Sequence, residues 1–178
     1  MLKRPLLPVV AVVAFVSACS SSGRIASPSA PDGVGVVVHP VDGDTVDISL
    51  GGVDERVRLI GIDTPESVAR DRPVECFGPE AKTRLADLLP EGTAVRLERD
   101  VEARDRFGRL LAYVYRVDDE LHVNLVLVRE GFAEARRFEP NVAHQADLDR
   151  AEDEARATNR GLWPACGGTD VPLAAQPG

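Results

Sequence analysis

Aromatic residues are scarce in this chain: one Trp, two Tyr and five Phe stand among 178 residues. Any core must therefore be aliphatic, and a hydrophobic content of 44% is enough to build one. There is no CxxC pair and no Cys/His cluster, which argues against a zinc site. The apolar run 6–16 falls short of a comfortable membrane span. Basic excess is also missing: the net charge is −8. That disfavours broad adhesion to nucleic acid, whose phosphates favour basic partners. No internal repeat is visible, and the length suggests one domain.

The N-terminus carries a processing signal instead of a fold. Lys3 and Arg4 form a positive head, the run 6–16 follows, and small residues precede Cys19. Residues 1–18 thus read as a signal peptide. The run Val16-Ser17-Ala18-Cys19 resembles a bacterial lipobox, with Cys19 the lipidated residue. An ordinary cleaved signal is the alternative. Three cysteines fit the lipobox reading: Cys76 and Cys166 can pair in an oxidising compartment, leaving Cys19 for the lipid. The alternative is two buried free thiols. Residues 19–32 are rich in Ser, Pro and Ala and read as a flexible tether. A domain at 33–166 and a disordered tail at 167–178 complete the expected organisation.

Hydrophobic periodicity predicts strands over 34–38, 45–50 and 55–60, the first two separated by an Asp42-Gly43 turn and the last two by Gly51-Gly52. Residues 61–77 lack periodicity and read as a loop. A helix is predicted over 79–89 with Pro79 in its first turn, then strands over 94–98 and 109–116 and a short helix over 123–129. Asn141 is expected to cap a last helix running to about Thr158, with Gly161 beyond it. The class is α+β, mainly β: a five-stranded OB-fold barrel with three helices, an architecture often used on nucleic acid.

Three stretches concentrate charge at turns: Val41-Asp42-Gly43-Asp44-Thr45, the segment from Arg58 to Glu66, and Asp105-Arg106-Phe107-Gly108-Arg109. Singly, each reads as a turn, a helix start or a loop. Their co-occurrence in this order on a barrel-like strand pattern carries the signal. His39, His122 and His144 lack metal-like spacing and read as structural or surface residues.

VDGDT, RVRLIGIDTPE, ECFGPEA, DRFGRLLAYVY, Val123-Asn124 and the final RGLW resemble the staphylococcal nuclease (thermonuclease) family over roughly residues 34–163. That resemblance implies an OB-fold, one Ca2+ ion, and hydrolysis of DNA and RNA, single-stranded preferred, to products with 3′-phosphate ends. It implies Asp44 and Asp63 as calcium carboxylates and Thr64 as a ligand through its carbonyl. Glu66 resembles the glutamate that orients the attacking water or takes its proton. Arg58 and Arg109 resemble the arginines that grip the scissile phosphate. The chemistry needs these types: paired guanidinium hydrogen bonds hold phosphoryl oxygens as a lysine does not, and carboxylates with a carbonyl suit a hard cation.

Arg106, Tyr113, Tyr115 and Phe138 are further candidates for binding substrate. Tyr113 and Tyr115 alternate along one strand, so one is expected to face the cleft. Arg136 and Phe138 stand where the type member has two tyrosines, and Phe107 where a tyrosine is common. Phe138 is a candidate for stacking on a base or for packing under the last helix. Arg56, Arg58, Arg104, Arg106 and Arg109 are expected to set a positive local field despite the total charge. The expected protein is a monomer, lipid-anchored outside a bacterial cell. The rival reading is a catalytically weak OB module that binds nucleic acid or protein.

Overall fold

The computed structural model describes residues 33–68 and 73–173. The signal peptide, Cys19 and the tether lie outside the described residues. Alternating apolar side chains form strands β1 (Val34–Pro40), β2 (Thr45–Leu50) and β3 (Val53–Leu59). Val46, Ile48, Val57 and Leu59 point inward and are fully buried, as a period of two requires. Gly51 and Gly52 join β2 to β3 with φ of 60° and 86°, the doubly positive geometry of a tight hairpin turn.

Strand β4 (Ile62–Asp63) follows, then α1 (Gly78–Leu88), β5 (Ala94–Glu98) and β6 (Leu110–Arg116). The barrel closes in the order β1-β2-β3-β6-β5. Its pairs are antiparallel except β3 with β6, which run parallel with Arg58 opposite Leu111. That register brings Arg58 close to Arg109, the residue immediately before β6. Helix α2 (Val123–Arg129), strand β7 (Glu134–Ala135), helix α3 (Gln145–Ala157) and the short α4 (Leu162–Cys166) complete the elements among the described residues. Among the described residues no helix is long and apolar enough to cross a membrane.

Buried Asn124 fixes α2 on the barrel. Its Oδ1 accepts the Val114 N–H at 3.0 Å and its Nδ2 donates to the Ile60 carbonyl at 2.8 Å, so neither polar atom is stranded. Helix α1 starts against the backbone of Glu66. A Cβ on Gly78 would stand 2.3 Å from the Glu66 carbonyl oxygen, so only glycine permits that approach.

Several expectations are corrected. Four helices are present among the described residues instead of three, because Leu162–Cys166 forms a further turn. Residues 61–77 are not wholly loop: β4 pairs with β7. Asn141 does not cap α3, whose cap position is His144. Its amide instead bonds both backbone groups of Glu102, at 2.8 and 3.1 Å. The tail is not disordered from 167: residues 170–173 lie along 74–76, with the Cys76 N–H donating to the Val171 carbonyl at 2.7 Å. Cys76 and Cys166 form a disulfide.

Tyr113 and Tyr115 are two apart on β6 and therefore share a face. Both turn toward His122 and His144 and not toward a substrate cleft. Tyr115 stacks on His122 at 4.4 Å, and Tyr113 meets His144 edge-on at 4.4 Å. Burial and Glu98 push the Tyr115 hydroxyl up to about 12. His144 Nε2 lies 2.7 Å from Glu98, tying the start of α3 to β5.

His122 has a buried Nε2 with no hydrogen-bond partner. Burial, reinforced by His144, lowers its pKa from 6.5 to about 4. The unfolded chain then binds the extra proton first as pH falls. Stability is expected to be full above pH 6.5 and to decline toward pH 4, by about 2 kcal/mol after allowance for partial solvent contact. Urea unfolding of the wild type and His122→Leu at a series of pH values checks this. The variant should lose that part of the slope; equal slopes would contradict the assignment.

Candidate active site

The tight turn between β1 and β2 builds one wall. Val41 and Asp42 donate their N–H groups to the Thr45 carbonyl, and Asp42 Oδ1 accepts the Asp44 N–H at 3.1 Å. Gly43 lets this turn press on the Asp63–Thr64 segment: a Cβ there would lie 2.6 Å from Thr64 Oγ1. Asp44 is consequently buried and fully engaged. Its Oδ2 accepts the Thr64 N–H at 3.2 Å and the Thr64 hydroxyl at 3.0 Å, while Oδ1 accepts the Thr45 hydroxyl at 3.1 Å.

Arg58 reaches the same point from β3. Its Nη1 stands 2.5 Å from Asp44 Oδ2 and its Nη2 3.1 Å from Asp63 Oδ1. The guanidinium also donates to the carbonyls of Leu59 and Ile62, both at 3.2 Å. With its side chain only 11% exposed, Arg58 is a largely desolvated cation held between two carboxylates. Arg109 is oriented by Asp105, whose Oδ2 accepts its Nε–H at 2.7 Å while Oδ1 accepts its backbone N–H at 3.0 Å. Burial opposes ionisation of Asp105, but these hydrogen bonds outweigh it and hold the carboxyl below its ordinary range.

Asp42, Asp44, Arg58, Asp63, Thr64, Glu66 and Arg109 line one cavity of about 160 Å3, together with Glu75 and Asp170. All six residues expected for metal and catalysis therefore meet in one place. A neighbouring hollow of about 380 Å3 shares Arg58 and Arg109 and is lined by Arg106, Phe107 and Phe138. Phe107 and Phe138 are exposed there, at 70% and 43%. Tyr113 and Tyr115 line neither cavity.

The donor set around Asp44 is entirely oxygen, which suits a hard cation. Burial, with Asp44 beside it, pushes Asp42 up to about 6. Burial likewise raises Asp63, against the pull of Arg58. At both carboxyls burial outweighs the pull of the neighbouring guanidiniums. Among the described residues, no group of three or more His, Cys, Asp or Glu side chains is already gathered as a metal centre. Asp44 and Asp63 are drawn onto Arg58 instead.

The expected local field is smaller than the arginine count suggests. Arg56 is paired with Asp47 at 2.9 Å and Arg104 with Glu55 at 2.7 Å. Arg106 has no ion-pair partner among the described residues and lies over the Phe107 ring at 4.6 Å.

The family model for staphylococcal nuclease homologues matches residues 56–165. A thermonuclease of Staphylococcus intermedius is 41% identical over 128 residues, covering 72% of this chain and 74% of that protein. A thermonuclease of Staphylococcus hyicus is 36% identical over 127 residues, covering 71% and 73%. The endonuclease YncB of Bacillus subtilis (strain 168) is 36% identical over 129 residues, covering 71% of this chain and 60% of that protein.

The sequence reading missed Glu75 and Asp170, left Asp42 as a turn residue, and gave Arg136 no partner. Arg136 Nη2 stands 3.5 Å from Asp63 Oδ2, delivered by the β4–β7 pairing. Buried Glu75 accepts the Glu66 N–H at 2.9 Å and the Asp170 N–H at 3.3 Å through the same Oε2. Removing that acceptor strands the Glu66 amide, at a cost of about 1–3 kcal/mol. In Glu75→Ala, amide hydrogen exchange at Glu66 is expected to accelerate at least roughly tenfold. Unchanged exchange at that amide would contradict the role given to Glu75.

Proposed function

The chain belongs to the staphylococcal nuclease family of hydrolytic nucleases, and on that premise we propose that it is a calcium-dependent endonuclease. Its substrates are DNA and RNA, single-stranded preferred, and its products carry 3′-phosphates. The observation that carries this reading is the convergence of Arg58 and Arg109 with Asp44, Asp63 and Glu66 on one small polar cavity.

Each side chain has a task there. The two guanidiniums donate hydrogen bonds to the phosphoryl oxygens, whose negative charge grows toward the transition state. Asp105 keeps Arg109 pointed at the phosphate. Glu66 orients the attacking water or takes its proton. The water oxygen bonds to phosphorus while the P–O5′ bond breaks; the 5′-oxygen takes a proton from solvent and leaves as a hydroxyl, and the phosphate stays on the 3′ side. Asp44, Asp63 and the Thr64 carbonyl would hold calcium. When bound, the ion supplies further positive charge against the phosphoryl oxygens.

The hollow bearing Arg106, Phe107 and Phe138 adjoins the cavity and suits an unstacked base, because rings stack on any base and Arg106 adds charge. Single-stranded substrate offers such bases without the cost of unpairing. Tethering outside the cell by a lipid on Cys19 is consistent with the disulfide, which belongs to oxidising compartments. The chain acts as a monomer in this reading. A catalytically weak binding module would have no need for all six residues of the catalytic and cation set.

Single-stranded DNA and RNA are expected to be cut by the purified domain with calcium and left intact with excess chelator. End-group analysis should find 3′-phosphates. Arg58→Lys and Arg109→Lys should each lose about 10²–10³ in rate in a folded protein. Cleavage that persists in chelator contradicts the calcium requirement, and folded variants within a few-fold of wild type contradict the arginine assignment.

A further inference from the structure

The chain beyond α4 returns to the site. Gly167 turns it with a φ of 81°, and residues 170–173 run along 74–76. The Cys76 N–H donates to the Val171 carbonyl at 2.7 Å, and the Leu173 N–H to the Val74 carbonyl at 3.0 Å. The Thr169 N–H donates to Glu134 at 2.7 Å. The Cys76–Cys166 disulfide closes the other end of this strap, with Cα atoms 6.0 Å apart.

Between these anchors sits Asp170. It adopts a left-handed φ of 60°, a conformation Asp tolerates better than most residues. Its N–H is held by Glu75, the same carboxylate that holds the Glu66 N–H. It lines the cavity that contains Asp42, Asp44 and Asp63. Asp170 therefore brings a further carboxylate to the wall of that cavity. An added negative charge near Asp44 and Asp63 favours a cation held between them.

We propose that the strap 167–173, anchored at Cys76 by the Cys76–Cys166 disulfide, places Asp170 as an added carboxylate that tightens divalent-cation binding at Asp44 and Asp63, and that reducing the disulfide loosens its placement. This rests on the calcium reading above. A dithiol such as dithiothreitol supplies two electrons and two protons, converts the S–S bond into two cysteine thiols, and is itself oxidised to a disulfide. The strap then keeps its hydrogen bonds but loses its covalent anchor at Cys166, and Asp170 is held less firmly. Charge count is a main determinant of calcium affinity, so the effect is electrostatic and reversible.

The test is calorimetric titration of calcium into the oxidised wild type, the dithiothreitol-reduced wild type, Asp170→Asn and Asp170→Glu, with circular dichroism confirming the fold. Asp170→Asn is expected to raise Kd roughly three- to tenfold, with Asp170→Glu close to wild type. Reduction of the wild type should raise Kd by a similar factor, and reduction of Asp170→Asn should add less. A Kd for Asp170→Asn equal to that of a wild type that binds calcium would overturn this proposal alone. If the oxidised wild type binds no calcium, both this proposal and the calcium reading fall.

Discussion

The structure depends on one desolvated cation. The Arg58 guanidinium sits between Asp44 and Asp63, at 2.5 and 3.1 Å, with little contact with water. Removing one partner of such a group typically costs about 3–5 kcal/mol, because the other charge is left buried and unpaired. Both carboxylates must therefore be delivered together. The β1–β2 turn delivers Asp44, and Gly43 lets that turn close on Thr64. The β4–β7 pair delivers Asp63. The parallel register of β3 with β6 then sets Arg109 alongside. A barrel that satisfies Arg58 has assembled most of this cavity in doing so.

Much of the architecture was legible because it rests on local pattern. Strands such as Thr45–Leu50 alternate strictly, Gly51-Gly52 allows the positive φ angles of a tight turn, and Pro79 marks the first turn of α1. What escaped the sequence reading depends on distant partners. Two-residue strands such as Ile62–Asp63 are too short to show a period. Asn141 has the chemistry of a cap, yet the backbone of Glu102 claims its amide. The order at 170–173 comes from a disulfide spanning 90 residues and from pairing with residues 74–76, and neither leaves a local pattern.

The site shows the same division. Arg58, Arg109, Asp44, Asp63, Thr64 and Glu66 stand in recognisable motifs and meet in one cavity. Tyr113 and Tyr115 were expected to alternate, one of them facing the cleft, but residues two apart on a strand share a face and both turn toward His122 and His144. Counting arginines overstated the local field, since Arg56 and Arg104 are spent on Asp47 and Glu55. Glu75 escaped notice because a glutamate that supports two backbone amides looks like any other in sequence. The net charge of −8 thus opposes binding of nucleic acid, and the paired arginines offset less of it locally than their number suggests.

The most direct test of this account is a crystal structure of the domain soaked with calcium. Asp44 and Asp63 should each place a carboxylate oxygen about 2.3–2.6 Å from one ion in the cavity shared with Arg58 and Arg109. An ion bound elsewhere, with both carboxylates still closed on Arg58, would contradict it.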